Sequence, residues 1–198
     1  PQSEDQSAYY WTAPFAFIDH TTTSYYATYI NADFVSKFSN TDVRNLFVAS
    51  STITNPADFR RYTTRKFKFN FGSDVPLIRT AEMILIDAEA LARTPGKEAE
   101  AHDLLYALQK NRDVNAVKST NTGAALIDEI LLERRKELYA ENGVEWFDAK
   151  RLRKGITRTG NHRIFKNLSA DDKRFFLKVP QSEIDANESI DDTVNKDR

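Results

Sequence analysis

Cysteine is missing from all 198 residues. Its absence excludes disulfides, thiolate metal sites and thiol nucleophiles together, while leaving the redox compartment open, since a disulfide-free secreted protein looks the same. Net charge is almost missing too: 28 Lys and Arg stand against 29 Asp and Glu, a formal −1. No global field draws nucleic acid or an acidic membrane surface, so either partner would need a local patch. Apolar runs fall far short of the ~18 residues a helix needs to cross a bilayer. The only histidines, His20, His102 and His162, are far apart in sequence. They show neither the neighbours of a catalytic triad nor the His-x-x-x-His spacing that puts two metal ligands on one helix face. Carboxylates are plentiful, yet spacing in sequence cannot establish the ~5–9 Å separation of a glycosidase pair. No catalytic set, metal or cofactor is therefore expected. An initiator methionine, a signal peptide and a lipid-attachment cysteine are also lacking, and the chain, which starts at Pro1-Gln2-Ser3, reads as a fragment.

What is present divides at Gly72, the first glycine of the chain. With 40% hydrophobic residues the sequence can bury one good core, and a single domain over 1–198 is expected. Residues 1–71 hold 16 of the 23 aromatics and read as loop-rich. A short helix is expected around Ala32–Phe38. A strand is expected over Arg65–Phe71, where Phe67, Phe69 and Phe71 alternate with Lys66, Lys68 and Asn70. Residues 72–198 read as helical. A helix over 76–94 carries Leu77, Ala81, Ile84, Leu85, Ala88 and Leu91 on one face, opened by Asp74 and Pro76 and ended by Pro95-Gly96. A second, over 97–112, presents Ala101, Leu104, Leu105 and Leu108. The pair is close to the ~34-residue tetratricopeptide unit, although an ordinary helical hairpin fits the same pattern.

The stretch Glu133–Arg151, ERRKELYAENGVEWFDAKR, is dense in charge yet keeps apolar residues at helical spacing. A helix over 124–141 is expected to lie across the hairpin as a third layer. Arg134 falls inside its apolar stripe, and a buried guanidinium needs a carboxylate partner. Glu82, Glu89 and Asp148 are the candidates to hold Arg134 or Arg135 in a buried network. Asn142-Gly143 marks a left-handed corner, after which Trp146, Phe147 and Leu152 begin a short amphipathic segment. Beyond Gly160 the chain is expected to wrap back, extended over Arg174–Val179 and closing on a turn at Ser182–Asp185.

Two clusters invite a binding role. Lys150-Arg151-Leu152-Arg153-Lys154, with Arg158, His162, Arg163 and Lys166, gathers cations of the kind that contact phosphates. A solvated helix end concentrates cations equally well, and no nucleic-acid reader fold accompanies them, so nucleic acid is not expected as a partner. At the front, Tyr9, Tyr10, Trp11, Phe15 and Phe17, then Tyr25, Tyr26 and Tyr29, are interleaved with Asp19, Asn31 and threonines. Flat rings with amide and carboxylate neighbours suit the C–H faces and hydroxyls of a sugar. Each ring also buries ~150–250 Å² when it serves as core, so a structural role stays open for every one.

Three segments carry a family resemblance. Val75–Ala90 (VPLIRTAEMILIDAEA), Glu133–Arg151 (ERRKELYAENGVEWFDAKR) and Val179–Asn187 (VPQSEIDAN) resemble, in that order along the chain, signature segments of the SusD/RagB family of outer-membrane glycan-binding proteins. Asp87, Val144, Glu145 and Lys178 depart from the usual residues at their positions. The resemblance implies a mainly α fold, an α-α superhelix with tetratricopeptide-like helix pairs, loop-rich segments and a few short strands. It implies that 1–198 is the C-terminal portion of a parent more than twice as long, whose lipid anchor lies outside this chain and is its only membrane contact. It further implies a non-catalytic cell-surface protein on the outer membrane that binds oligosaccharide or polysaccharide and delivers it to a SusC-like TonB-dependent transporter. Tyr9, Tyr10, Trp11, Tyr25 and Tyr26 are the expected glycan contacts. A helical-repeat module that binds a protein or peptide is the competing reading.

Overall fold

Helices make up most of the regular structure in the computed structural model, which describes residues 28–67 and 76–196. These residues form two compact units. One runs to Val144 and takes in Thr159–Arg163; the other joins Glu145–Arg158 to the chain from Ile164 onward.

In the first unit α1 (Ala32–Val35), β1 (Phe47–Ala49) and β2 (Tyr62–Thr64) precede three longer helices, α2 (Thr80–Ala92), α3 (Glu98–Arg112) and α4 (Gly123–Leu138). Helices α2 and α3 form a hairpin across the Pro95-Gly96 turn. Ala88 and Ala101 are fully buried between them, and residues this small let two backbones approach closely around Leu85, Leu105 and Leu108. Helix α4 packs chiefly on α2 and closes this core with Leu126 and Ile130, four apart and therefore on one face.

A second cluster is aromatic. Phe34 and Phe38 of the α1 region meet Phe47 of β1 and Tyr139, just past α4, mostly edge to face at 4.9–6.3 Å. The two strands pair antiparallel, Phe47 opposite Thr64 and Ala49 opposite Tyr62. Two strands alone are marginal in water, and here the sheet is anchored where the buried Thr64 hydroxyl meets the Tyr139 hydroxyl at 2.8 Å. Asn161 ties a later loop to this layer: its Oδ1 accepts from the Ala32 amide and its Nδ2 donates to the Asp58 carbonyl.

Several expectations are corrected. The strand on this side is Tyr62–Thr64, and the described part of the expected 65–71 strand, Arg65–Phe67, bends away once Lys66 turns to the end of α4. Leu77, expected on the buried face of a helix beginning at 76, is 72% exposed, because α2 begins only after Arg79. Helix α4 stops at Leu138 rather than 141: Ala140 already has φ 59°, and Asn142 and Gly143 complete the left-handed corner at 45° and 69°. Helix α1 ends at Val35 rather than near Phe38.

The second unit opens with α5 (Val144–Arg151), whose first residue sits at the boundary, and closes with α6 (Gln181–Ala186). Phe175 is buried against Trp146, ring centroids 4.8 Å apart. Lys173–Phe175 is a 3-10 turn, not the start of the expected extended run over 174–179, because Asp172 caps it through the Arg174 amide. Gly155 pairs beside an Ile156–Leu168 bridge with φ 69°, and a Cβ there would collide with the Leu168 carbonyl. Asn195 holds Val179 at both amide and carbonyl, each at 2.9 Å.

Because Leu105 is fully buried between α3 and its neighbours, Leu105→Ala is expected to lower unfolding free energy by about 2–5 kcal/mol in urea titration.

Candidate functional site

The strongest concentration of chemistry lies at the C-terminal end of α4. Glu133 and Glu137, four apart, fall on one side of the helix, Glu141 follows in the corner beyond its end, and all three are buried. Glu137 receives three arginines from three elements. Arg112 at the end of α3 donates through Nε and Nη2, both at 3.0 Å; Arg79, just before α2, donates from Nη1 at 2.8 Å; Arg44, before β1, donates from Nη1 at 3.0 Å. Arg79 also grips Glu141 in a two-pronged pair at 2.9 Å. Arg44 is shared with Asp42 at 2.8 Å and Glu133 at 2.7 Å, and Lys136 reaches Asp42 at 2.9 Å.

The same cations finish the helix. Lys66 Nζ donates to the carbonyls of Glu137 and Tyr139 at 3.0 and 2.9 Å, and Arg79 Nη2 donates to the Glu137 carbonyl at 2.7 Å. These last-turn carbonyls have no partners within the helix, and cations here also face the negative end of its dipole. Lys66 also lies 4.1 Å from the Tyr139 ring centroid and 2.5 Å from Glu141.

Electrostatics follow from this packing. Burial pushes the Asp42 and Glu137 carboxyls up, but the hydrogen bonds of Arg44 and Lys136 on the first, and of Arg112 and Arg79 on the second, outweigh it and bring each to about 2. Burial pulls the Lys66 ammonium down to about 8 against the opposing pull of Glu141, and pushes the Tyr139 phenol up to about 12. An open cleft of about 480 Å³ exposes the edge of this assembly, with Arg79, Arg112 and Lys136 beside Val43, Leu46 and Pro76. Its cations are committed to carboxylates and carbonyls, Lys66 among them, so the arrangement positions helices.

The candidate glycan contacts Tyr9, Tyr10, Trp11, Tyr25 and Tyr26 lie outside the described residues. Their neighbour Tyr29 is half-buried and meets Phe59 edge to face at 5.7 Å, while Arg60 and Arg163 each lie 5.6 Å from the Phe59 ring. Of the expected ion-pair set, Arg134 and Glu82 meet at 2.8 Å across α4 and α2. Glu89 holds Arg93 one turn along its own helix at 2.7 Å, Arg135 lies 4.7 Å over Phe34, and Asp148 holds Arg151 at 2.7 Å. Among the described residues no group of three or more His, Asp or Glu is placed to hold a metal ion. Sequence reasoning missed Asp42, Arg44, Arg79, Arg112, Glu133, Glu137 and Glu141. The four-residue spacing of the glutamates was a visible signal, whereas their partners come from elements that only the fold brings together.

The sequence model of the SusD family matches residues 7–195. A solved structure described as a SusD-like carbohydrate binding protein from Bacteroides vulgatus ATCC 8482 superposes with a TM-score of 0.72 at 21% sequence identity. The superposition covers 94% of this chain and 44% of that one, so the chain spans less than half the length of that relative. Among curated proteins none matches.

Truncating Glu137 leaves three arginines without their shared carboxylate, and Glu137→Ala is expected to cost about 3–5 kcal/mol in denaturant titration. Glu100→Ala, which removes the solvent-exposed partner of Lys97, is expected to cost less than about 1 kcal/mol. Asp42 and Glu137 titrate lower in the folded chain than their ordinary 3.8 and 4.5, so the unfolded chain binds more protons on acidification. Their contribution is expected to be complete above about pH 4.5 and lost as pH falls toward about 2, read as a falling urea midpoint across that window.

Proposed function

We infer from the premise that this chain belongs to the SusD family that it is a binding protein rather than an enzyme, serving glycan capture at the outer face of the outer membrane. The single observation that carries the reading is the family match over residues 7–195, which runs through both the aromatic front and the helical part. The similarity in fold to a SusD-like carbohydrate binding protein supports it.

In this reading the α2–α3 hairpin is one tetratricopeptide-like layer of a larger superhelix, and residues 1–198 act as one domain of it. The charge network locks that scaffold while the aromatic front meets ligand. Tyr9, Tyr10, Trp11, Tyr25 and Tyr26 supply stacking faces, and neighbouring amides and hydroxyls satisfy sugar hydroxyls in pairs. Captured oligosaccharide passes to a TonB-dependent transporter of the SusC type, with the protein held at the membrane by the parent's lipid anchor. No step makes or breaks a covalent bond.

Calorimetric titration of a glycan panel tests this. At least one oligosaccharide is expected to bind, and Trp11→Ala to weaken it by tenfold or more while leaving the unfolding midpoint in place. Tight binding of a peptide alongside silence across the glycans would replace this reading with that of a peptide-binding helical module.

A further inference from the structure

The corner after α4 holds the one Asn-Gly pair of the sequence, Asn142-Gly143. The Val144 amide donates to the Glu141 carbonyl at 3.1 Å, closing a four-residue turn whose two central residues have φ 45° and 69°. A turn that is left-handed at both central positions favours this dipeptide, because asparagine tolerates positive φ and glycine meets no steric penalty there. Turn geometry accounts for the two residue types, but not for what the Asn142 side chain holds.

That side chain is a latch. Its Nδ2 donates to the carbonyls of Pro76 and Leu77, each at 2.8 Å, and so fastens the corner to the chain entering α2. Both partners are acceptors, so only a hydrogen-bond donor fits between them. Asn142 and Gly143 are nevertheless exposed, and among the described residues no group accepts the Gly143 amide hydrogen. An exposed carboxamide therefore stands next to a backbone nitrogen that is unengaged there and, in glycine, unshielded by a side chain.

We propose that Asn142-Gly143 is a self-modification site, at which the carboxamide becomes a carboxylate and the latch is lost. The Gly143 nitrogen attacks Asn142 Cγ. The N–Cγ bond forms, the Cγ–Nδ2 bond breaks, and the Gly143 amide proton passes through water to the departing nitrogen, which leaves as ammonia. Water then opens the cyclic imide at either of its carbonyls, giving aspartate or isoaspartate with no other reactant. The product carboxylate is an acceptor facing the Pro76 and Leu77 carbonyls, and it adds negative charge one residue from the buried Glu141. While latched, the carboxamide has both its donors in use, so conversion draws on the moments when the corner parts from the entry to α2. The reaction is independent of glycan capture.

Peptide mapping by mass spectrometry tests this on the 198-residue chain held in mildly alkaline buffer at body temperature, beside a free peptide spanning residues 139–146. Asn142 is expected to convert ahead of every other asparagine of the chain, and about 10–100-fold more slowly than in the peptide, the ratio that two net hydrogen bonds give. Conversion as fast as in the peptide, conversion slower than that range, or earlier conversion of another asparagine would each overturn the proposal. Asn142→Asp, which writes one product directly, is expected to lower the thermal unfolding midpoint by about 2–8 °C. An unchanged midpoint would overturn the loss of the latch. The mapping needs no variant, and glycan titration of the same protein reads the capture function separately.

Discussion

Three arginines that are far apart in sequence converge on the single carboxylate of Glu137, and the first unit is organised around that convergence. Arg44 brings the segment before β1, Arg79 the entry to α2, and Arg112 the end of α3. Each guanidinium alone would be costly to bury, and so would Glu137. Together, with Asp42 and Glu141 hydrogen-bonded beside them and Glu133 paired by charge with Arg44, they compensate one another in a site where an incomplete set would be strongly unfavourable. The end of α4 therefore admits only an arrangement that delivers all three arginines, which makes the network a device for specifying helix order more than a source of net stability.

The apolar cores complement this constraint. The α2–α3–α4 core excludes water through alanines that allow close approach, and burial of this kind is tolerant of small shifts in register. The charge network is not tolerant, because hydrogen bonds weaken steeply with misalignment. Tyr139 links the two, with its ring in the aromatic cluster, its hydroxyl on Thr64 of β2 and its carbonyl on Lys66. Packing thus holds the layers together and the network sets how they meet.

For function, this separates a rigid scaffold from surfaces free to vary. A cleft whose cations are all engaged is suited to transmitting position rather than to capturing ligand. Recognition then falls to loops and exposed faces, where side chains change without disturbing the buried charges.

Much of the architecture was legible because helical periodicity is a local property. The apolar stripes at Leu85–Ala88, Ala101–Leu108 and Leu126–Ile130 predicted three helices, and signature segments pointed to the family that the match over 7–195 establishes. Boundaries were less legible. Leu77 continues the apolar spacing of α2 yet lies outside it, and α4 ends three residues early because Lys66 and Arg79, neither of them near in sequence, take its last carbonyls. Local spacing also put Arg134 on a buried stripe, where it meets Glu82. The charged run Glu133–Glu141 announced a helix by its spacing, and that spacing puts Glu133 and Glu137 on one face without saying that they are buried. Which cations would meet them was decided by tertiary structure alone, since Arg44, Arg79 and Arg112 carry no local mark that distinguishes them from solvated arginines, and only the fold brings their elements to one place.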